Sequence, residues 1–344
     1  MTTILLDDGS GGKASQRLIA DLFVRHFANP VLAAMDDAAL LPITGPIAMS
    51  TDGYTVDPVE FPGGTIGSLA VHGTVNDVAM LGAKPLYLSS AFILEEGLPL
   101  DLLERIVMSM AEAASSAGVQ IVTGDTKVVP RGACDKIFIT TTGIGEIVAQ
   151  DPPSGSKARA GDVVLVSGSM GDHGLTIMAR REGLSLATSI QSDSAALNAM
   201  ILALVNEVGT IHTLRDPTRG GLATTLNEIA SQSGVGILLR EKAVPVKTEV
   251  REGCAVLGLD PLYLANEGKC ICILPADRAE AALEVMRRFP EGTDARLVGQ
   301  VHAPETTPKG ARTAIRAGQV ILETPLGGHR LLGMLEGEQL PRIC

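Results

Sequence analysis

The run SLAVHGTVNDVAMLGAKPLYLSSAFIL (68–94) reads as a helix over about 65–81, a Gly82-Ala83-Lys84-Pro85 break, and a strand over about 86–94. Within the helix, Asn76 and Asp77 sit among Val75, Val78, Ala79 and Met80. A carboxylate in such apolar company needs a partner, because an unpaired buried charge is costly. A core arginine would satisfy it structurally. A bound cation would satisfy it functionally.

Outward from this unit the chain keeps the same grammar. Upstream, an amphipathic helix over about 14–27 follows a glycine-rich opening, and a strand lies over about 46–51. Downstream come a helix over about 99–117, a short strand from 119 that breaks at Gly124-Asp125-Thr126-Lys127, and a strand over 136–148. Asp151-Pro152-Pro153-Ser154-Gly155-Ser156 is a breaker cluster. Beyond it the alternation starts again: a strand at 161–169, helices at 175–182, 193–208 and 222–234, strands at 235–241 and 268–275, a helix at 278–289 and a strand at 295–301. The expectation is a layered α/β protein with an N-terminal domain over 1–153 and a C-terminal α/β domain over 154–326. Residues 327–344 are glycine-rich and end on Pro341-Arg342-Ile343-Cys344, which suggests a mobile tail carrying a terminal thiol.

The 344 residues are 45% hydrophobic and 19% charged, enough apolar material for two cores. Aromatics make up only 3% and tryptophan is absent, so aliphatic side chains must fill the layers. A net charge of −11 argues against a nucleic-acid partner. No apolar run reaches membrane-spanning length, and the N-terminus lacks a secretory leader. Five cysteines without framework spacing suggest reduced thiols in the cytoplasm. Cys134, Cys254, Cys270 and Cys272 read as small buried residues, the last two on one face of a strand.

Several segments carry candidate chemistry. Residues 7–13, DDGSGGK, could close backbone N–H groups around an anion, although the spacing is not that of a P-loop. Asp36, Asp37, Asp52 and Asp77 each stand beside an apolar run. Hard oxygen ligands from several segments suit Mg²⁺, which commonly binds substrate phosphates as well. Asp125 is a further possible ligand, and Lys127 could meet an anion. Asp216 opens the rigid turn DPTRGG (216–221), and Glu267 stands at the mouth of a strand.

MDDAAL, STDGYTV, HGTVNDVAMLGAKP, TGDTKV, DPTRGGL and NEG occur here in the order found in the ATP-dependent enzymes whose fold is named for aminoimidazole ribonucleotide synthetase. The chain resembles that superfamily over essentially its whole length. DPTRGGL, TGDTKV and the terminal PRIC are together similar to its hydrogenase-maturation branch, the carbamoyl dehydratases. The resemblance implies a cytoplasmic homodimer of two-domain subunits with mixed sheets, binding ATP and Mg²⁺. It also implies a carbamoyltransferase partner, HypF, which loads a carboxamide onto the terminal cysteine, and a HypC–HypD scaffold that receives the product. Cys344 matches the modified cysteine. Asp36, Asp37, Asp52, Asp77 and Asp216 match the metal and phosphate carboxylates, with Asn76 and Asp125 as further nucleotide-site residues. Lys127 and Glu267 match residues assisting a dehydration that turns the S-carboxamide into a thiocyanate. In the glycine-rich opening, Asp8 stands where the family often has histidine.

Three alternatives remain on the residues themselves. A selenophosphate synthetase would carry a cysteine or selenocysteine near its glycine-rich start, whereas the first cysteine here is Cys134. A small-molecule kinase leaves the PRIC end unexplained. A nucleotide-binding scaffold without turnover has no need of the full carboxylate set.

Overall fold

The computed structural model describes residues 3–10, 13–35, 38–183, 190–307, 314–335 and 342–344. The N-terminal half contains α1 (Lys13–Leu18), which continues into a π-helical turn (Ile19–Val24), α2 (Pro30–Ala33) and β1 (Ile47–Tyr54). A small hairpin of β2 (Glu60–Phe61) and β3 (Gly64–Thr65) leads into α3 (Ile66–Met80). β4 (Ala83–Glu95), α4 (Leu100–Ala117), β5 (Gln120–Val129) and β6 (Ile137–Ile147) complete it.

Helix α3 starts where Thr65 accepts hydrogen bonds from the Gly67 and Ser68 backbone N–H groups, satisfying two orphan donors. Every α3 residue except His72 and Asp77 is buried, as expected of a helix that is apolar all round. One side lies against β1 and β6, another against α4, and the second half's helix α6 (Asn198–Val208) covers its C-terminal end. The helix stops at Gly82, whose φ of +66° is a left-handed conformation that suits glycine. A Cβ at Gly82 would lie 2.5 Å from the Ala149 Cβ, so the turn is also where the connection to the second half presses in.

Among the described residues the first sheet has the order β1-β6-β4-β5, with β4 and β5 parallel and the other pairs antiparallel. One face packs on α3 and α4. The other leaves Ile47, Met49, Thr51 and Thr140 exposed. β5 runs unbroken through Gly124-Asp125-Thr126-Lys127, which corrects the expected break. A Cβ at Gly124 would meet the Ser90 carbonyl oxygen at 2.4 Å, so this glycine serves close strand pairing rather than a turn.

The second half contains β7 (Asp162–Val166), α5 (Asp172–Arg181), α6 (Asn198–Val208), β8 (Thr213–Arg215), α7 (Gly221–Ser233) and β9 (Gly236–Arg240). Then follow α8 (Thr248–Leu257), β10 (Ile271–Pro275), α9 (Ala279–Met286), β11 (Arg296–His302), β12 (Val320–Glu323) and β13 (His329–Leu332). Its sheet has the order β13-β12-β9-β11-β7-β10-β8. β7 is buried along its whole length because α7 covers one face of the sheet and α6 with α9 the other.

The sequence reading had no signal for α8, β12 or β13. The segment 329–332 was expected within a mobile tail. Instead it pairs antiparallel with β12 at the sheet edge, and its Leu332 is fully buried. Cys254, Cys270 and Cys272 are buried as expected, whereas Cys134 is only half-buried, in the β5–β6 loop.

Gly82→Ala is expected to cost on the order of 1–3 kcal/mol, from a positive φ and from overpacking against Ala149. A fall of several degrees in the thermal unfolding midpoint would register it. An unchanged midpoint would mean that the turn relaxes freely.

Candidate active site

The two halves enclose a cavity of about 560 Å³, and its floor is acidic. β1 contributes Ser50, Asp52 and Tyr54; α3 contributes Asp77; the turn after β8 contributes Asp216 and Arg219; the loop before β10 contributes Glu267. Cys344 lines the same cavity. Asp52 lies inside β1 rather than at its end. Alternation along the strand turns it to the cleft side together with Ser50 and Tyr54.

The carboxylates are coupled. Ser50 Oγ donates to Asp77 Oδ2 at 2.7 Å, and Tyr54 Oη donates to Asp52 Oδ2 at 3.3 Å. Burial, with the neighbouring Asp77 charge behind it, pushes the Asp52 pKa up to about 6. Burial and Asp77 likewise push Asp216 up to about 7. Glu267 is raised well above the ordinary carboxylate range, first by burial and then by Asp216. Its Oε1 is buried with no hydrogen-bond partner among the described residues. Such a cluster calls for positive charge from outside the chain, and the only nearby cation acting on both Asp52 and Cys344 among the described residues is Arg219.

Glu267 is held by its backbone. Asp193 accepts from the Glu267 and Gly268 N–H groups, and the Asn76 amide donates to the Ala195 carbonyl and, at 3.4 Å, to that of Glu267. The Asn76 side-chain oxygen also accepts from Leu197 N–H. Asn76 is therefore occupied in joining α3 to the second half, and it does not line the cleft.

Lys127 and Asp125 are not brought to this cleft. Both lie on one face of β5, two residues apart, with Lys127 Nζ 2.9 Å from an Asp125 oxygen. They line a separate cavity of about 240 Å³, together with Asp8 and Gly9 of the glycine-rich opening and Phe23, Phe27 and Phe92. Asp36 and Asp37 lie outside the described residues. Arg219 and Tyr54 also line the cleft, within the DPTRGGL and STDGYTV segments, and carry no candidate role in the sequence alone. The one available signal was their spacing from Asp216 and Asp52 on the same short segments.

The shared architecture places the chain in a known class. Residues 35–147 match the N-terminal domain model of AIR synthase related proteins, and residues 159–307 match the C-terminal one. The chain is 54% identical to the carbamoyl dehydratase HypE of Azotobacter vinelandii, over 98% of this chain and 96% of that protein. A crystal structure of the hydrogenase maturation protein HypE in complex with ATP superimposes with a TM-score of 0.95 at 66% identity, covering 99% of this chain and 100% of that one. A HypE–HypF complex structure contains a chain that matches with a TM-score of 0.79 at 47% identity, over 92% and 99% of the two chains. The chain belongs to the HypE family of carbamoyl dehydratases.

The raised carboxyl pKa values have a sign. Groups that hold their protons more tightly in the folded state stabilise it below their unfolded pKa, near 4, and that stability is lost as pH rises through about 6–7. The thermal midpoint of metal-free protein is expected to fall between pH 5 and pH 8, and millimolar Mg²⁺ should restore part of the loss at pH 8. A midpoint indifferent to Mg²⁺ would remove the cluster as a cation site.

Proposed function

We propose that this chain dehydrates an S-carboxamide on its own Cys344 to a thiocyanate, at the expense of ATP, and that the thiocyanate is the cyanide source for the iron of a [NiFe]-hydrogenase. The observation that carries this reading is the position of Cys344 in the same acidic cleft as Glu267, Asp52, Asp77 and Asp216. A thiol in that position has its pKa pushed up to about 12, by burial first and by Glu267 second, so it is not a nucleophile there. A neutral carboxamide or thiocyanate carries no such penalty.

Direct loss of water from an amide would require oxide to leave. If the carboxamide oxygen attacks the γ-phosphorus of ATP, ADP departs and that oxygen becomes part of a phosphate ester. One nitrogen proton is lost as this O-phosphorylated imidate forms; removal of the second then forms C≡N as the C–O bond breaks, so the carboxamide and ATP give thiocyanate, ADP and phosphate. Glu267 is the base in this scheme. Its raised pKa makes it a stronger proton acceptor than an ordinary carboxylate. The tail seated in the cleft shields the phosphorylated intermediate from bulk water.

Asp52, Asp77 and Asp216 fit Mg²⁺ by the chemistry of their donors, and Glu267 Oε1 is an orphaned acceptor beside them. No preformed cage of three His, Cys, Asp or Glu side chains exists among the described residues. None is needed by an ion that takes one or two carboxylates and completes its shell with water and phosphate oxygens. When bound, it supplies charge neutralisation for the transferring phosphoryl group. Asp36 and Asp37 belong to the same set on resemblance. ATP is the nucleotide, supported by the ATP-bound relative. Lys127 and Asp125 act on the nucleotide from the glycine-rich opening, or reach another copy's Cys344 across a homodimer. The exposed Ile47, Met49 and Thr51 face of the first sheet supports such pairing. HypF is the carbamoyl donor, supported by the HypE–HypF complex, and a HypC–HypD complex is the acceptor. All five thiols are unpaired, as suits a cytoplasmic protein, and no described helix is long and apolar enough to cross a membrane.

With a carbamoyl donor and ATP, the C-terminal peptide should first gain a carboxamide and then lose one water, as read by its mass. Cys344→Ala should bind ATP yet form no thiocyanate. Glu267→Gln should accept the carboxamide and then stall, its dehydration slowed by about 10²–10⁴-fold. Thiocyanate on any other cysteine would overturn the assignment, and normal dehydration by Glu267→Gln would pass the base role to another group.

A further inference from the structure

The last three residues do not rest loosely in the cleft; each of their backbone carbonyls is gripped. The Arg342 carbonyl accepts from Asp57 N–H at 3.3 Å and from Arg181 Nη2 at 2.8 Å. The Ile343 carbonyl is bound by His173 Nε2 at 2.8 Å. The Cys344 carbonyl oxygen accepts from Thr55 N–H at 3.0 Å and from its hydroxyl at 3.3 Å. The tail thus runs antiparallel beside 55–57, its carbonyls accepting from alternate backbone N–H groups, with Arg342 Nε donating back to the Thr55 carbonyl at 2.9 Å.

Side chains complete the recognition. Ile343 is only 4% exposed and joins the N-terminal core, while Arg342 Nη1 donates to Asp135 at 2.6 Å. His173 is fully buried, at the start of α5, with its ring edge-on to Phe61. A carbonyl oxygen can only accept, so Nε2 carries the proton. Burial lowers the His173 pKa and keeps the ring neutral, which leaves Nδ1 to accept from Ser192 Oγ at 2.7 Å. Arg181, at the other end of α5, also donates to the Asp57 carbonyl and so ties the receiving strand to the same helix. Among the described residues no hydrogen bond is made to Cys344 Sγ. A grip on the backbone is indifferent to whether the sulfur bears hydrogen, carboxamide or cyanide.

We propose that the groove between residues 55–57 and α5 is a built peptide site for Arg342-Ile343-Cys344, and that His173 and Arg181 are positioning residues that hold Cys344 in the cleft for the reaction. This rests on the reading of Cys344 as substrate. The grip comes from both halves of the molecule, so a docked tail also clasps them together.

The test measures docking apart from chemistry. In the full chain, iodoacetamide alkylation of Cys344 is followed by peptide mass in His173→Ala, His173→Gln and Arg181→Ala, with the half-buried Cys134 of each sample as internal reference. Loss of one tail hydrogen bond should speed Cys344 alkylation about three- to tenfold relative to Cys134. Glutamine, which can donate from a similar reach, should return His173→Gln towards the unaltered rate. Loading by the carbamoyl donor should be unimpaired, while dehydration at saturating ATP should slow with the KM for ATP unchanged. Unchanged Cys344 alkylation in both alanine variants overturns the proposal, and Arg181→Ala alone decides if His173→Ala does not fold. If alkylation responds as expected but the unaltered chain forms no thiocyanate, the groove stands and the reaction assigned to Cys344 falls.

Discussion

Mutual repulsion among Asp52, Asp77, Asp216 and Glu267 is the constraint around which the molecule is arranged. Four carboxylates from four separated segments converge in one partly desolvated cleft, where burial first and neighbouring charge second make Asp52, Asp216 and Glu267 hold their protons more tightly than in water. The surrounding structure must impose this arrangement, because the acidic groups themselves oppose it. It does so with α3, packed against both halves, and with backbone anchors such as Asp193 and Asn76 that hold the Glu267 turn without touching its carboxylate. A polyanionic nucleotide entering such a cleft needs cations with it, which makes the repulsion a recognition device for a charged pair rather than for the nucleotide alone.

The tail uses the opposite strategy. It enters with the sulfur left open and its backbone carbonyls each held by a donor. Ile343 gives the anchoring burial and Arg342 the charge pairing, while the sulfur, the atom that changes, is left out of the hydrogen bonding. On the proposed reading substrate and enzyme are one chain, so affinity need not come from a large interface. The tether supplies concentration, and the groove supplies orientation.

Two cavities of different character divide the candidate residues. The acidic interdomain cleft holds Cys344, while the cavity beside the glycine-rich opening is walled by phenylalanines and rimmed by the Asp125–Lys127 ion pair. An apolar wall with a charged rim suits a planar base with attached phosphates, and an acidic floor suits metal-bound phosphate.

The amino-acid sequence by itself determined the alternation of helices and strands and the two-part layout, because apolar periodicity and turn residues are local signals, and it marked Asp52, Asp77, Asp216, Glu267 and Cys344 as candidates that the fold gathers into one cleft. Short edge strands such as 329–332 escaped it, since their pairing is decided by distant β12 and glycines flank them on both sides. Gly124 read as a break because the residue type is ambiguous between a turn and a close strand approach, and only the neighbouring Ser90 carbonyl resolves that. Asn76 and Asp77 are adjacent in the chain, yet 100° of helical rotation turns one towards the Glu267 loop and the other into the cleft. His173 carried no sequence signal for its contact with Ile343, 170 residues away. Which side chains meet across such distances depends on packing between the two halves, and that is a property only the tertiary structure holds.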